Sequence, residues 1–377
     1  MAPPKHVNIA ILGTGGVGSH VLSQLSWIST HHPSTHFNLI YLATIDGALY
    51  NDNYKPIDIE TALNRLQTPG AKRSLLTIQT LATYLANAPY RAILADITSC
   101  DTIAQSYPLF LERGISIVTP NKKAFSGSYE LWRDIFDAAR CGGALIGHES
   151  SVGAGMPIIS TMRDFGITGD RVMRVEGVVS GALSFLFNEF APLATSPAVS
   201  GSAGGSAGGR WSEIVKKARE RGYTQPDPRD DLNGLDVARD VTILARLAGL
   251  PIEQGSFPVQ SLVPKELEGI GSAEEFLARL PEFDERMDEE RERAVNAGRV
   301  LRHVGIVDIV NRRAEVGLKW FEPDDPIARL QGRDNVIRFY TKRYGDDPLI
   351  ISGAGAGGSV TAMGVTGDML RILHQLG

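Results

Sequence analysis

The sequence has few of the features that mark secreted, membrane-spanning or nucleic-acid-binding proteins. Its 377 residues include only two cysteines, Cys100 and Cys141, which are too few for a disulfide framework and fit a reducing compartment. No apolar run reaches the ~20 residues of a membrane-spanning helix, and nothing near the N-terminus is typical of a signal peptide. The net charge of −5 gives no general reason to bind nucleic acid or an anionic membrane. We therefore expect a cytoplasmic protein without nucleic-acid or membrane partners.

The first half of the chain alternates short apolar runs with helical stretches. Strands are predicted at 7–12, 37–43, 91–96, 115–118 and 145–148, and a helix at 18–29. Because parallel strands need a crossover between them, this alternation predicts right-handed βαβ units around a parallel sheet, which is an α/β fold. A chain of 377 residues is long for one core, so two or three packed units are expected.

The second half of the chain has a different pattern. Strands are predicted at 176–180, 300–308 and 313–319, helices at 184–190, 211–222 and 235–248, and a solvated, charge-rich helix face at 282–293. These elements predict a second sheet in a separate unit. Residues 195–209 are mostly Gly, Ser and Ala, which cannot form a core, so a flexible surface loop is expected there.

A glycine-rich loop follows the first predicted strand and opens the first predicted helix. It reads Gly13-Thr14-Gly15-Gly16-Val17-Gly18. In this pattern the first glycine permits a tight turn, the second lets the backbone approach a pyrophosphate, and the third lets helix and strand pack closely. The helix N-terminus then faces the negative charge. Because strand and helix flank the loop as the motif requires, it predicts a Rossmann dinucleotide-binding domain.

The end of the second predicted strand bears on the choice between NAD and NADP. Asp46 follows that strand, and a carboxylate there accepts hydrogen bonds from the ribose hydroxyls, whereas a 2′-phosphate favours arginine. No arginine or lysine occurs from Ser19 to Tyr54, although Lys55 lies just beyond. The sequence therefore favours NAD modestly and leaves NADP open.

Three further stretches resemble one family. They lie at 119–124 (TPNKKA), 148–157 (HESSVGAGMP) and 222–240 (GYTQPDPRDDLNGLDVARD). Together they closely resemble the homoserine dehydrogenase family, particularly its short fungal form, and GAGAG at 353–357 extends the resemblance. The resemblance implies a Rossmann domain at 1–150 with 340–377, and a mixed-sheet α+β domain for substrate binding and dimerisation at 151–339. It also implies a homodimer acting on a small amino-acid-derived substrate.

The resemblance and the residues themselves together give candidates for the site, with Asp46 and Asp240 suggested by their own chemistry. The candidate catalytic residues are Lys123, Asp236 and Asp240. The candidate substrate-binding residues are Gly181, Ala182, Tyr223, Gln225 and Asp231. Outside the glycine loop, the candidate cofactor-binding residues are Asp46, Thr98, Ser99 and Gly355. A monovalent cation such as Na⁺ is matched by Glu149, Val152, Ala154 and Met156, where backbone carbonyls serve as hard oxygen ligands and one carboxylate supplies charge.

The substrate segment departs from the family pattern at two important positions. The family has a glutamate, which helps to hold the substrate ammonium group, where this chain has Gln225. It has a lysine, usually assigned to exchange the proton of the carbinol oxygen, where this chain has Asp240. Milder departures are Ala182 in place of a threonine and Ile97 in place of a common asparagine. Because a positioned acid contributes ~10²–10⁴-fold to such reactions, the lysine loss predicts poor homoserine oxidation unless Lys123 substitutes.

These observations predict hydride transfer between a nicotinamide and an amino-acid-derived carbonyl, with a substrate altered from aspartate semialdehyde or homoserine. One alternative is a cyclic imine or keto amino-acid reductase, because an acid such as Asp240 can stabilise an iminium. A second alternative is a genuine homoserine dehydrogenase that uses Lys123. A third is a non-catalytic NAD(P)-binding regulatory protein, against which the intact glycine loop and Lys123 argue.

Overall fold

The computed structural model describes residues 5–32, 34–193 and 208–376. Within it the chain forms two compact units, Met1–Ser160 with Gly357–Gly377, and Thr161–Ala356. The predicted flexible loop at 195–209 lies outside the described residues except for its last two positions.

The first unit is built on a six-stranded sheet with the strand order β3-β2-β1-β4-β5-β6. Its strands are β1 (Lys5–Leu12), β2 (Thr35–Ala43), β3 (Ala48–Tyr50), β4 (Ala92–Asp96), β5 (Ser116–Val118) and β6 (Ile146–Gly147). All neighbours are parallel except β2 and β3, which are antiparallel. The predicted parallel sheet therefore carries one antiparallel edge strand, because the chain turns back at 44–47. The sheet is of the Rossmann type, as predicted.

The second unit contains a five-stranded sheet with the order β11-β10-β7-β8-β9. Its strands are β7 (Val172–Val178), β8 (Val300–Asp308), β9 (Arg313–Phe321), β10 (Asp334–Thr341) and β11 (Leu349–Ala354). Every neighbouring pair is antiparallel, whereas a mixed sheet was expected. Because β10 pairs with both β7 and β11, residues 340–356 lie in this unit and not with the first sheet, where the sequence placed them. Residues 151–160 conversely lie in the first unit.

Helices flank both sheets. Those described are α1 (Gly16–His31), α2 (Ile59–Gln67), α3 (Ile78–Ala86), α4 (Asp101–Gln105), α5 (Tyr107–Leu111), α6 (Lys123–Ser126), α7 (Tyr129–Gly142), α8 (Ile158–Ile167), α9 (Gly181–Phe190), α10 (Trp211–Glu220), α11 (Arg229–Leu232), α12 (Leu235–Leu247), α13 (Ala273–Arg279), α14 (Asp284–Asn296) and α15 (Gly358–Leu376). In the first unit α1 packs on α15, and both contribute buried residues to the core over the sheet. Their apolar residues recur at helical spacing, which is why one face of each helix is buried.

In the second unit α12 packs directly on β8. A Cβ added at Gly305 would contact Val237 and Val241, which lie one turn apart on α12. This close approach seats the face of α12 that carries Val237 and Val241 against the strand. The helix carries Asp236 and Asp240, so its packing determines where these two carboxylates lie.

A glycine near the end of β7, Gly177, tests how tightly the second sheet is packed. A Cβ at Gly177 would overlap the carbonyl oxygen of Val336 on β10, whereas a Cβ at Gly166 on α8 would meet no atom. We expect Gly177→Ala to lower the free energy of unfolding by about 1–3 kcal/mol through overpacking. The control Gly166→Ala should be neutral, or stabilising by about 0.5–1 kcal/mol. Urea unfolding followed by circular dichroism checks this, and equal midpoints for the two variants would contradict it.

Candidate functional site

The glycine loop between β1 and α1 has the geometry that its sequence predicts. Gly13 has φ +94°, and a Cβ there would lie 2.9 Å from the carbonyl oxygen of Ile97. A Cβ at Gly18 would overlap the carbonyl of Gly13 itself. At Gly15 and Gly16 an added Cβ would meet nothing, so the loop is open on that side. No side chain caps α1, so its first N–H groups are free to bind an anionic phosphate.

A cavity of about 510 Å³ lies beside this loop in the first unit. Thr14, Thr44 and Lys72 line it. Thr44 donates through its hydroxyl to Asp46 at 2.5 Å, and Lys72 forms a close ion pair with the same carboxylate. The hydrogen bonds from Lys72 and Thr44 lower the pKa of Asp46 to about 2. Lys72 was missed from the sequence because it follows Asp46 by 26 residues.

A buried hydrogen-bond network surrounds Asp96, the last residue of β4, which is 0% exposed. The Tyr107 hydroxyl donates to Oδ2 of Asp96 at 2.6 Å and the Asn121 amide donates to the same oxygen at 3.1 Å. Thr98 donates to Oδ1 through both its backbone N–H and its hydroxyl. Burial raises the pKa of Tyr107 well above its usual value, so its hydroxyl stays a donor. Among the predicted cofactor residues, Thr98 is thus fixed, whereas Ser99 is exposed.

The same network determines where Lys123 begins α6. The side-chain oxygen of Asn121 accepts the backbone N–H of Lys123 at 3.1 Å, while its amide nitrogen binds Asp96. Asn121 therefore links the end of β4 to the loop after β5. Asp96, Tyr107 and Asn121 were not predicted as site residues. The available signal was a carboxylate at the carboxyl end of a parallel strand beside the glycine loop, where such folds bind ligands.

The predicted cation segment lies between β6 and α8. The Glu149 carboxylate accepts the backbone N–H groups of Ile159 at 2.8 Å and Ser160 at 3.2 Å, and Arg371 lies 3.6 Å from it. These contacts occupy both carboxylate oxygens. Within the described residues, no N–H donates to the carbonyls of Val152 or Ala154, whereas the Met156 carbonyl accepts Ile158 N–H at 2.8 Å. Backbone carbonyls here fit a cation better than the carboxylate does.

The predicted substrate residues of the second unit gather around Asp231. Its carboxylate accepts the backbone N–H of Gln225 at 2.7 Å, while the Gln225 side chain is exposed. Burial, followed by the negative charges of Asp236 and Asp230, raises the pKa of Asp231 to about 6, against the lowering effects of Gln225 N–H and Arg333. A carboxyl group with this pKa is protonated in part near neutral pH and can donate a proton.

The two aspartates on α12 differ sharply in environment. The Asp236 side chain is 54% exposed and lies 3.5 Å from Arg239, so it has the position of a solvated residue. Asp240, one turn later, is only 1% exposed. A surface position for Asp240 is thereby excluded. A buried carboxyl group must be hydrogen-bonded, paired or protonated to be tolerated.

The start of α9 completes this cluster in the second unit. Gly181 and Ala182 form the first turn, and Ser180 caps it by accepting the N–H of Leu183 at 3.2 Å. The Tyr223 ring packs edge-on against Phe185 at 4.9 Å. The remaining predicted residue, Gly355, follows β11, where an added Cβ would overlap the side chain of Asn335. Glycine is therefore required at 355 by packing.

Comparison with known proteins identifies the family. A family model described as "Homoserine dehydrogenase" matches residues 157–370, and one described as "Homoserine dehydrogenase, NAD binding domain" matches residues 13–149. A homoserine dehydrogenase from Emericella nidulans is 50% identical over 379 residues, covering 98% of this chain and 99% of the relative.

The chain belongs to the homoserine dehydrogenase family.

Two solved structures resemble this homoserine dehydrogenase family member. A Candida auris protein of unknown function has a TM-score of 0.90 and 41% identity, with 99% of both chains covered. A hyperthermophilic archaeal homoserine dehydrogenase in complex with NADPH has a TM-score of 0.72 and 22% identity, with 98% of both chains covered. At 22% identity, the likeness to the archaeal enzyme shows a shared fold and nothing more. Together the comparisons confirm the predicted family and fold class, and with them an NAD(P)-dependent oxidoreductase.

The described residues contain neither a membrane-spanning helix nor a cluster of metal-binding side chains. None of the described helices has the length and apolar character needed to cross a membrane. Over the same part of the chain, no three His, Cys, Asp or Glu side chains come together as a group that could hold a metal ion.

The raised pKa of Asp231 predicts how stability depends on pH. Because the folded-state pKa is about 6 and the unfolded value is ~3.9, the folded state binds more protons between these values. The free energy of unfolding therefore falls as pH rises through this window, by about 2–3 kcal/mol at most. In Asp231→Asn the free energy of unfolding should no longer fall as the pH rises through this window. Urea unfolding at about pH 4 and about pH 7 measures it.

The control for this experiment is Asp324→Asn, an exposed carboxylate in the same unit. Asp324→Asn should retain the pH dependence of the wild type. In addition, the carboxyl resonance missing from Asp231→Asn should titrate near pH 6 in NMR spectra of the wild type. A titration of that resonance near the ordinary aspartate value would contradict the prediction.

Proposed function

We propose that this protein transfers hydride between a nicotinamide cofactor and an amino-acid-derived carbonyl or imine, and that its substrate differs from aspartate semialdehyde and homoserine. The observation that carries the proposal is the 1% exposure of Asp240 on α12. A buried carboxyl group there changes the chemistry of the interior, whereas a solvated aspartate would not. Gln225 supports the proposal, because its neutral amide does not balance the charge of an ammonium group.

The proton chemistry distinguishes two kinds of substrate. Reduction of a carbonyl needs a proton for the developing alkoxide, and Lys123 is the candidate donor outside the aspartate cluster. Reduction of an imine proceeds most readily after the nitrogen is protonated, and a nearby carboxylate stabilises that cation. Asp240, together with Asp231 whose pKa is about 6, suits the second task. A cyclic imine or keto amino acid is therefore the favoured substrate class.

A genuine homoserine dehydrogenase that uses Lys123 is the second candidate. It is favoured by the full-length likeness to fungal homoserine dehydrogenases and by the hydrogen bond that holds Lys123 N–H to Asn121. A non-catalytic regulatory protein receives no support from relatives that are enzymes. The two remaining candidates differ in one measurable property, the turnover of aspartate semialdehyde.

The decisive experiment restores the two missing groups. The Gln225→Glu, Asp240→Lys double variant and the wild type are compared for NAD(P)H oxidation with aspartate semialdehyde. If the substrate has changed, the wild type should be nearly inert and the double variant should gain ~10²-fold or more, since a positioned acid contributes ~10²–10⁴-fold. The wild type should instead reduce cyclic imines or keto amino acids when these are screened.

The matched control is Gln225→Glu, Asp230→Lys, which makes the same charge change at an exposed aspartate of the same segment. It should gain no activity with aspartate semialdehyde. Rapid turnover of aspartate semialdehyde by the wild type would reject the altered substrate and establish the second candidate. Folding of each variant is verified by circular dichroism before its rate is interpreted.

We further propose that NAD is preferred to NADP. Asp46 is ionised, with a pKa of about 2, and a carboxylate suits ribose hydroxyls and repels a 2′-phosphate. Lys72 weakens this preference for NAD, because it is a cation that could bind a 2′-phosphate at the same place. In the structure it forms an ion pair with Asp46. A hyperthermophilic archaeal homoserine dehydrogenase of the same fold contains NADPH, so NADPH is the alternative cofactor to be tested.

Removing the acid should therefore shift the cofactor preference towards NADPH. Asp46→Asn frees Lys72 for a phosphate, so the ratio of kcat/KM for NADPH to that for NADH should rise ~10-fold or more, as expected for a charge-assisted hydrogen bond. Lys72→Met should lower that ratio. Asp52→Asn is the control, because Asp52 pairs with Arg73 at 3.0 Å on the exposed surface nearby. A ratio that none of the variants changes would show that neither group contacts the ribose.

We also propose a bound monovalent cation, a homodimer and a cytoplasmic location. A monovalent cation such as Na⁺ would be held by backbone carbonyls of 149–156, with Val152 and Ala154 the best suited, while the Glu149 carboxylate holds the start of α8. The cation would supply positive charge to that turn. A homodimer is proposed from the family resemblance. A cytoplasmic location is proposed from Cys100 and Cys141, which are both free and exposed, as is typical of a reducing compartment.

A further inference from the structure

An arginine that the sequence did not single out lies beside the aspartate cluster of the second unit. Arg333 immediately precedes β10, and two side chains of α9 hold its neighbours. Asn188 donates to the carbonyl of Gly332 at 3.1 Å, and Ser184 donates to the carbonyl of Asp334 at 2.7 Å. The backbone of Arg333 is thus fixed against α9. A Cβ at Gly181 would lie 3.2 Å from its carbonyl oxygen.

The side chain of Arg333 is positioned by an aromatic ring. Its guanidinium carbon lies 4.6 Å from the centre of the Tyr223 ring, and Tyr223 packs in turn against Phe185 of α9. Stacking of this kind orients the planar guanidinium and leaves its N–H edge free to bind a ligand. Arg333 is therefore held in one orientation without using its hydrogen-bonding groups.

Those hydrogen-bonding groups have no partner in the described parts of the chain. The buried Nε of Arg333 has no hydrogen-bond acceptor there, and no carboxylate of the described residues forms an ion pair with its side chain. Neighbouring arginines differ, since Arg229 pairs with Asp227 at 2.6 Å and Arg239 with Asp236 at 3.5 Å. A half-buried guanidinium is costly to leave unpaired, so this side chain is suited to an anion from outside the protein.

We propose that Arg333 binds the carboxylate of the substrate. A guanidinium matches a carboxylate through two parallel hydrogen bonds, and the first turn of α9, beside Arg333, adds the positive end of a helix dipole. This inference rests on the proposed function and narrows it. The substrate is recognised by its carboxylate and not by an ammonium group, which fits an imino or 2-keto acid.

One carboxylate of the protein competes for the same cation. Asp231 is close enough for Arg333 to lower its pKa, yet the two form no direct ion pair. Oδ2 of Asp231 instead accepts the Gln225 N–H at 2.7 Å. Because burial raises the pKa of Asp231 to about 6, much of its competing charge is lost in mildly acidic solution. Carboxylate binding should therefore strengthen as the pH falls from neutrality towards 6.

The test compares ligands that differ only in the carboxylate. Calorimetric titration of the cofactor-saturated protein uses two pairs of probes: L-proline with pyrrolidine, and L-homoserine with 3-amino-1-propanol. In at least one pair the acid should bind ~10–100-fold more tightly than its decarboxylated twin, as a charge-assisted hydrogen bond implies. Arg333→Met should reduce that ratio to about 1, and Arg333→Lys should restore part of it. The control Arg329→Met, an exposed arginine nearby, should keep the wild-type ratio.

The two pairs separate this inference from the proposed function. A carboxylate preference in the homoserine pair alone, lost in Arg333→Met, supports the Arg333 site and speaks for the genuine homoserine dehydrogenase. A carboxylate preference in the proline pair that is lost in Arg333→Met supports both the Arg333 site and the proposed altered substrate. A wild-type protein that binds no acid more tightly than its twin overturns the inference. So does a preference that survives in Arg333→Met, whichever substrate is reduced.

Discussion

The buried carboxylate of Asp96 is the constraint on which the first unit's site depends. At 0% exposure, a charge is tolerated only if hydrogen bonds replace its hydration. Thr98, Tyr107 and Asn121 all donate to it, so the turn that follows β4 and two more distant segments are tied to the end of this strand. One of them carries Lys123, and another leads from Ile97, whose carbonyl restricts the first glycine of the cofactor loop. A disturbance at Asp96 would therefore reach the cofactor loop and Lys123 together.

The carboxylates of the second unit are accommodated in more than one way. Asp227 and Asp236 each have an arginine. Asp231 instead has a backbone N–H and a raised pKa. Protonation is a cheaper way to keep such a carboxyl group in a protein interior than an unpaired charge. With a pKa of about 6, Asp231 can donate a proton near neutral pH.

Much of the fold followed from the sequence because its signals are local. The apolar run before the glycines predicted β1, and the residues predicted for β8 match its observed bounds, Val300–Asp308. The three-residue strand β3 was missed because it is too short to show a periodicity. Strand β11 was missed although its exposure alternates, since its residues were read as a return to the cofactor domain. The pairing of β11 with β10 puts this strand in the second unit. Pairing between segments that are distant in sequence cannot be recognised from the local sequence.

The site residues, like the strands, could be predicted where their signal is local. The glycine loop is contiguous, so its spacing alone predicts its chemistry, and the family resemblance supplied the substrate segment. Lys72 and Arg333 were missed because their partners, Asp46 and Tyr223, lie far away along the chain. In both places a cation reaches a functional carboxylate or ring only through tertiary structure. Asp240 alone therefore says little about the charge of this region, because Arg333 places a cation near Asp231 of the same aspartate cluster. The carboxylate site proposed above depends on that cation, which tertiary structure alone brings there.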